Sequence, residues 1–264
     1  MILKIVLLTI DSAGEVIINR LFSSIQLRFD LSLVITRQDR PYDTNGNPVV
    51  NACKRFNINY LQPSKINNEI ALIKSKEPDL IIIANYHEII TNEIIEIPKI
   101  GIFNLHSSLL PKMRGATSII WALKKNMVET GVTLHYVTEN IDDGDILMQQ
   151  AVPITIYDTQ ASLYYKISIV KYEVLERFIT MIQNNNELIS HKQNDADATY
   201  LPKRKKTDGL IDTEQSIFNI YNHIRSFDPW TGAYIIVENK EIRLRSAILC
   251  HNYFESSISN NEII

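Results

Sequence analysis

The sequence predicts an α/β protein: a mostly parallel sheet flanked by helices, followed by a small C-terminal α+β unit. Three features carry that prediction. Short apolar runs of strand length alternate with stretches of helical periodicity through most of the chain. The most apolar of them, Asp79 to Ala84, has the continuous pattern of a strand buried on both faces. Beyond a polar, basic stretch the alternation gives way to one helix and two strands. With 264 residues and 45% hydrophobic content, the chain is long enough for one full core and a small appendage.

Taken in order, Ile2 to Thr9 reads as a buried first strand; it breaks at Asp11, too short to span a membrane and without a small-residue cleavage site. Ser12 to Leu27 reads as a helix capped by Ser12, and Leu31 to Thr36 as a second strand ending in the turn-rich Arg37 to Pro48. A short helix over Val49 to Phe56 leads to a strand at Ile58 to Leu61, then to a helix over Asn67 to Lys76. After the Asp79 to Ala84 strand come a helix over Glu88 to Ile95, a strand carrying Asn104 and His106, and a helix over Thr117 to Lys125. This spacing implies a Rossmann-like sheet whose sites lie at the carboxyl ends of its strands.

A second alternating run, Val132 to Tyr136, precedes a Gly-containing loop; Ile146 to Ile154 is a further strand. Ala161 to Ile182 is a long amphipathic helix with Leu163, Ile167, Val170, Val174 and Phe178 on one stripe. The expected organisation is a catalytic domain over 1–190, a linker over 191–209 and a small domain over 210–264. The last holds a helix over Thr213 to Phe227, strands over Ala233 to Glu238 and Glu241 to Leu249, and a loose tail from Ser256.

The chemistry concentrates between Ile102 and Leu147. Asn104 and His106 are two residues apart in a strand, so an amide and an imidazole face one space. Asp142 lies in the downstream loop, which can return a carboxylate to the ring. Such a trio suits acyl transfer to a nitrogen nucleophile: the imidazole moves the proton, the amide holds the oxyanion, and the carboxylate orients the ring. Gly-x-Ser-x-Gly is absent, which points to direct transfer without an acyl-enzyme. A metal site is not expected, since His135 is the single ligand type close to His106. The remaining histidines, His87, His135, His191, His223 and His251, read as structural or surface residues.

At these residues the chain resembles the folate-dependent formyltransferase family, through Asn104-Leu105-His106, Ser108-Leu109-Leu110-Pro111 and Asp142-Asp143-Gly144. The likeness continues, less specifically, into Ile224 to Tyr234. The resemblance implies N10-formyltetrahydrofolate as co-substrate and no metal. It also implies catalytic roles for Asn104, His106 and Asp142. Its folate pocket falls on His87, Glu88, Ile89 and Ile90, with Ile95 as an apolar wall and the Thr138 to Asp142 loop, Glu139 and Asn140 included, on the other side. Adjacent acids leave a choice at the third catalytic position, and the spacing favours Asp142 over Asp143.

Among acceptors, glycinamide ribonucleotide is disfavoured because Asp11 and Glu15 follow the first strand, where a phosphate loop would stand. A net charge of −3 disfavours a nucleic-acid partner, and Lys203-Arg204-Lys205-Lys206 reads as a solvated linker. The resemblance therefore implies a nucleotide-linked amino sugar, here dTDP-4-amino-4,6-dideoxyglucose for O-antigen or surface polysaccharide synthesis. Ser108, Lys112, Arg114, Tyr221 and Arg225 are its candidate contacts, with Lys112 or Arg114 at the diphosphate; Tyr221 reads first as small-domain core or a subunit interface, with a base-stacking face as its functional alternative. The alternatives are a methionyl-tRNA formyltransferase, a formyltetrahydrofolate hydrolase and a non-catalytic binding module. Cys53 and Cys250, far apart and outside any ligand spacing, read as reduced thiols of a cytoplasmic protein, expected to be a homodimer without membrane contact.

Overall fold

A computed structural model describes residues 2–41, 43–230 and 232–249. The expected loose tail, Cys250, His251 and Thr231 lie outside the described residues. In chain order the elements are β1 (Leu3–Thr9), α1 (Ser12–Ser23), β2 (Phe29–Ile35), α2 (Pro48–Arg55), β3 (Tyr60–Leu61), α3 (Ile70–Ser75), β4 (Leu80–Ala84), α4 (Asn92–Ile95), β5 (Gly101–His106) and β6 (Arg114–Gly115). They continue with α5 (Ser118–Lys124), β7 (Glu129–Tyr136), β8 (Ile146–Pro153), α6 (Gln160–Gln183), β9 (Tyr200–Leu201), α7 (Ile217–Phe227), β10 (Ala233–Val237) and β11 (Lys240–Leu244).

Seven strands form one sheet in the order β3-β2-β1-β4-β5-β7-β8. The pairs β1/β2, β2/β3, β1/β4 and β4/β5 are parallel, and β5/β7 is antiparallel. The chain moves outward one way from β1 and the other way from β4, so the strand order reverses between these two, where α/β sheets open a crevice at the carboxyl ends. β4 is buried at every position and β1 at all but Lys4, which is why both read as continuous apolar runs. On one face Val6, Leu8, Ile81, Ile83 and Ile102 pack with Ile66, Ile73 and Ile94.

Local chemistry moved several expected boundaries. Asp11, not Ser12, caps α1, its carboxylate accepting from Ala13 N at 3.1 Å. The helix expected over Glu88 to Ile95 begins at Asn92. Ahead of it the Glu88 carboxylate accepts from Ile66 N (3.0 Å) and the Tyr86 hydroxyl (2.8 Å), and Thr91 is extended. The helix expected from Thr213 starts after Ser216, whose hydroxyl accepts from Asn219 N.

The described chain forms two compact units. The larger comprises the residues through Arg114 together with Gly131–Val152 and Tyr165–Tyr200. The smaller combines Gly115–Thr130, Pro153–Tyr164 and the residues from Leu201 onward. In the smaller unit α5 packs on α7 around Ile120, Ile211, Ile224, Phe227 and Ala233, and β10 pairs with β11. Its core thus draws on residues far upstream of the expected boundary at 210. No helix among the described residues is long and apolar enough to cross a membrane.

Candidate active site

The site stands at the carboxyl end of β5. Asn104 pairs in register with Ile83 on one side and His135 on the other, and His106 pairs with Thr133. Because alternate residues share a face, Asn104, His106, Thr133 and His135 form one patch across two strands. Asp142 is delivered by the turn after β7, in a left-handed backbone conformation (φ 52°) that an L-residue adopts at a cost. Gly144 completes the turn where a Cβ would lie 1.9 Å from the Tyr136 carbonyl oxygen, so only glycine fits.

Asp142 Oδ2 lies 3.4 Å from His106 Nδ1, and Oδ1 accepts from Asn104 Nδ2 at 3.1 Å. His106 Nε2 is 3.0 Å from the Met113 carbonyl oxygen. The shorter contact places the proton of the neutral ring on Nε2, donating to Met113, and leaves Nδ1 as the basic atom beside the carboxylate. The same logic at His135 has Nδ1 donating to Tyr136 O at 2.8 Å, so Nε2 accepts from Asn104 Nδ2 at 3.2 Å. Both amide hydrogens of Asn104 are therefore engaged within the cluster. Burial pushes the His106 pKa below the ordinary imidazole value, against the opposing pull of Asp142 and the Met113 carbonyl; His135 and Lys171 push it further down. The ring is thus neutral near pH 7, and a proton gained at Nδ1 meets the Asp142 carboxylate.

Asp143 turns the other way, accepting from Asn140 Nδ2 at 2.8 Å and from the Thr138 hydroxyl. That settles which of the adjacent acids faces the ring. Thr133 shapes the loop beyond β5 by donating to Ser108 O (2.6 Å) and accepting from Leu110 N (3.1 Å). Among the described residues no group of three or more His, Cys, Asp or Glu is placed to hold a metal ion.

Sequence reading missed two members of this neighbourhood. His135 reads as structural in the sequence, and its signal is strand register rather than spacing along the chain. Lys171 is fully buried on α6, and its Nζ donates to Asn85 Oδ1 just beyond β4. Asn85 Nδ2 in turn reaches Asp11 Oδ2 at 3.3 Å, just beyond β1, so this trio sits at the point where the strand order reverses. Burial lowers the Lys171 pKa to about 8, while Asp11 and Asp142 pull it back up. Its signal was legible: Lys171 interrupts the apolar stripe of α6 between Ile167 and Val174.

Of the expected substrate contacts, Lys112 is exposed, but Ser108 is buried, its hydroxyl donating to Lys112 O at 2.8 Å. Arg114 departs from the expected phosphate contact: only 1% exposed, it donates to Gln193, Asp195 and the Tyr200 hydroxyl within the larger unit. Tyr221 and Arg225 are likewise buried and engaged by the protein itself. Within the smaller unit the Tyr221 hydroxyl donates to Ile156 O, and the buried Arg225 guanidinium donates to Thr155 O, Asp158 O and Asn222 Oδ1. Of the expected folate contacts, Ile89 is exposed, Ile90 is buried, and Ile95 packs against the core; Asn92 Nδ2 donates to Glu139 Oε1, linking α4 to the Asp142 loop.

A mostly parallel sheet that gathers a buried imidazole, a carboxylate and an amide at the carboxyl end of β5 has the architecture of an α/β enzyme. The chain belongs to the formyl transferase family: residues 3–179 match the formyl transferase model and residues 203–261 its C-terminal domain. It is 34% identical over 221 residues to methionyl-tRNA formyltransferase of Geobacter metallireducens, covering 81% of this chain and 71% of that one. A 4-N formyltransferase from Francisella tularensis shares the fold, with TM-score 0.73 and 18% identity over 94% of this chain and 99% of that one. So does the Helicobacter canadensis N-formyltransferase solved with folinic acid and dTDP-3-aminofucose, with TM-score 0.68 and 22% identity over 92% and 86%.

Proposed function

We propose that this formyl-transfer enzyme moves the formyl group of N10-formyltetrahydrofolate to the amine of a nucleotide-linked amino-deoxy sugar. The acceptor in this reading is dTDP-4-amino-4,6-dideoxyglucose, destined for O-antigen or another surface polysaccharide. The observation that carries formyl transfer is the placement of His106 Nδ1 beside Asp142, with Asn104 bonded to the same carboxylate.

The acceptor amine attacks the formyl carbon and passes its proton to His106 Nδ1, where Asp142 stabilises the imidazolium. The carbon–N10 bond then breaks, and the same proton goes to N10 of the departing tetrahydrofolate. Asn104 serves the oxyanion once one of its amide hydrogens swings out from His135 or Asp142, a change the bound substrate would trigger. The segment His87 to Ile90, non-helical ahead of α4, and the Glu139–Asn140 side of the Asp142 loop would line the folate.

Likeness to sugar N-formyltransferases along nearly the whole chain and a net charge of −3 support the sugar acceptor. The 34% identity to a methionyl-tRNA formyltransferase favours the second reading, a charged initiator tRNA. Incubation with N10-formyltetrahydrofolate and a panel of dTDP- and UDP-amino sugars, charged initiator tRNA, or no amine separates them. Turnover with an amino sugar alone is the expected result; turnover with tRNA, or without any amine, would overturn it.

A further inference from the structure

We propose that Gln193, gripped by the buried Arg114 guanidinium, is a positioning residue that sets the Asp142 turn against His106. The role rests on the reading of His106 and Asp142 given above. Gln193 Nε2 donates to two carbonyl oxygens of that turn, Asp142 O at 2.8 Å and Gly144 O at 2.7 Å. Its Oε1 accepts from Arg114 Nε at 3.1 Å and Nη2 at 2.9 Å. Arg114 is itself fixed by Asp195 Oδ1 (2.8 Å) and the Tyr200 hydroxyl (2.9 Å).

Arg114 directly follows Met113, whose carbonyl oxygen accepts from His106 Nε2. One relay of side chains therefore touches the protein on both sides of the imidazole. Met113 (φ 65°) and Asp142 (φ 52°) are both left-handed L-residues, conformations that persist only where surrounding contacts hold them. At Met113 the restraint includes Thr199 Oγ1, which accepts from Met113 N at 2.8 Å; at Asp142 it includes Gln193. Residues 193–200 fall in the segment that sequence reading treats as a linker, and they supply the partners of Arg114.

Two variants test the role. Gln193→Leu removes the bonds at both ends, and Gln193→Glu keeps an acceptor for Arg114 while losing the donors to the turn. Gln193 is partly exposed, so both variants are expected to fold, with thermal midpoints within about 5 °C of wild type. We expect kcat to fall about 100-fold, the scale of a 1 Å misplacement, with folate KM changed less than about threefold. Asp142, His135 and Lys171 are the ionisable groups acting on His106, and a retreating Asp142 removes the one that favours its charged form. The His106 ring should then titrate at lower pH in both variants, read by NMR on histidine-labelled protein. Unchanged kcat together with unchanged His106 titration in Gln193→Leu would overturn the proposal. If wild type formylates no amine, the functional reading fails, and the His106 titration still decides whether Gln193 positions Asp142.

Discussion

At the scale of the residue, the proposed role of His106 as the proton acceptor can be tested through its titration. Its burial keeps the ring neutral, and a protonated ring cannot accept the amine's proton, so the rate should fall as pH drops through a value below the usual ~6.5. A pH profile of kcat/KM with its acid limb below that value, abolished in His106→Asn along with about three or more orders of magnitude of rate, is the expected result. An acid limb above pH 7, or near-full rate in the variant, would remove His106 from the mechanism. Asn104 and His106 were legible in the sequence because strand periodicity is local. His135 was not, because nothing along the chain marks residue 135 as the partner of residue 104; only the register of β5 with β7 does. Arg114 and Arg225 show a related limit: a basic residue looks the same in sequence whether it meets a phosphate or the protein's own oxygen atoms.

At the scale of the element, α6 and α7 carry ionisable groups inside apolar faces. The Lys171 ammonium sits in the stripe that packs α6 on the sheet, tolerated because Asn85 accepts from it and Asp11 and Asp142 lie near. On α7, His223 is 5% exposed, lies tilted against the Phe227 ring with centroids 5.2 Å apart, and its Nε2 donates to Asp208 O at 2.9 Å. Burial and the nearby Lys124 ammonium lower its pKa to about 4. Between that value and the unfolded ~6.5 the unfolded chain binds more protons, so stability present above pH 6.5 is lost as pH falls toward 4, by at most about 3 kcal/mol. Thermal melts across this window should show the loss in wild type and a flatter profile in His223→Gln, which keeps a donor for Asp208. Identical profiles would show that His223 does not govern this window.

At the scale of the whole molecule, charge separates the acceptors. A protein of net charge −3 acting on a nucleotide sugar should lose less than about threefold in kcat/KM between 50 and 200 mM salt, whereas polyanion binding through many phosphates loses ~10³-fold or more over that range. Steady-state rates across that range measure it, and a steep salt slope would favour the tRNA. The sequence by itself determined the alternation of strands and helices, the amide–imidazole pair at the end of β5 and the family likeness, because each is written in residues close together along the chain. The tertiary structure alone decided that His135 and Lys171 join the neighbourhood and that Arg114 is buried against Gln193, Asp195 and Tyr200; it also turns Asp142, the acid the spacing favours, toward the ring and Asp143 away from it. These outcomes depend on contacts such as Arg114 to Gln193, 79 positions apart, which exist only once packing has brought separate elements together.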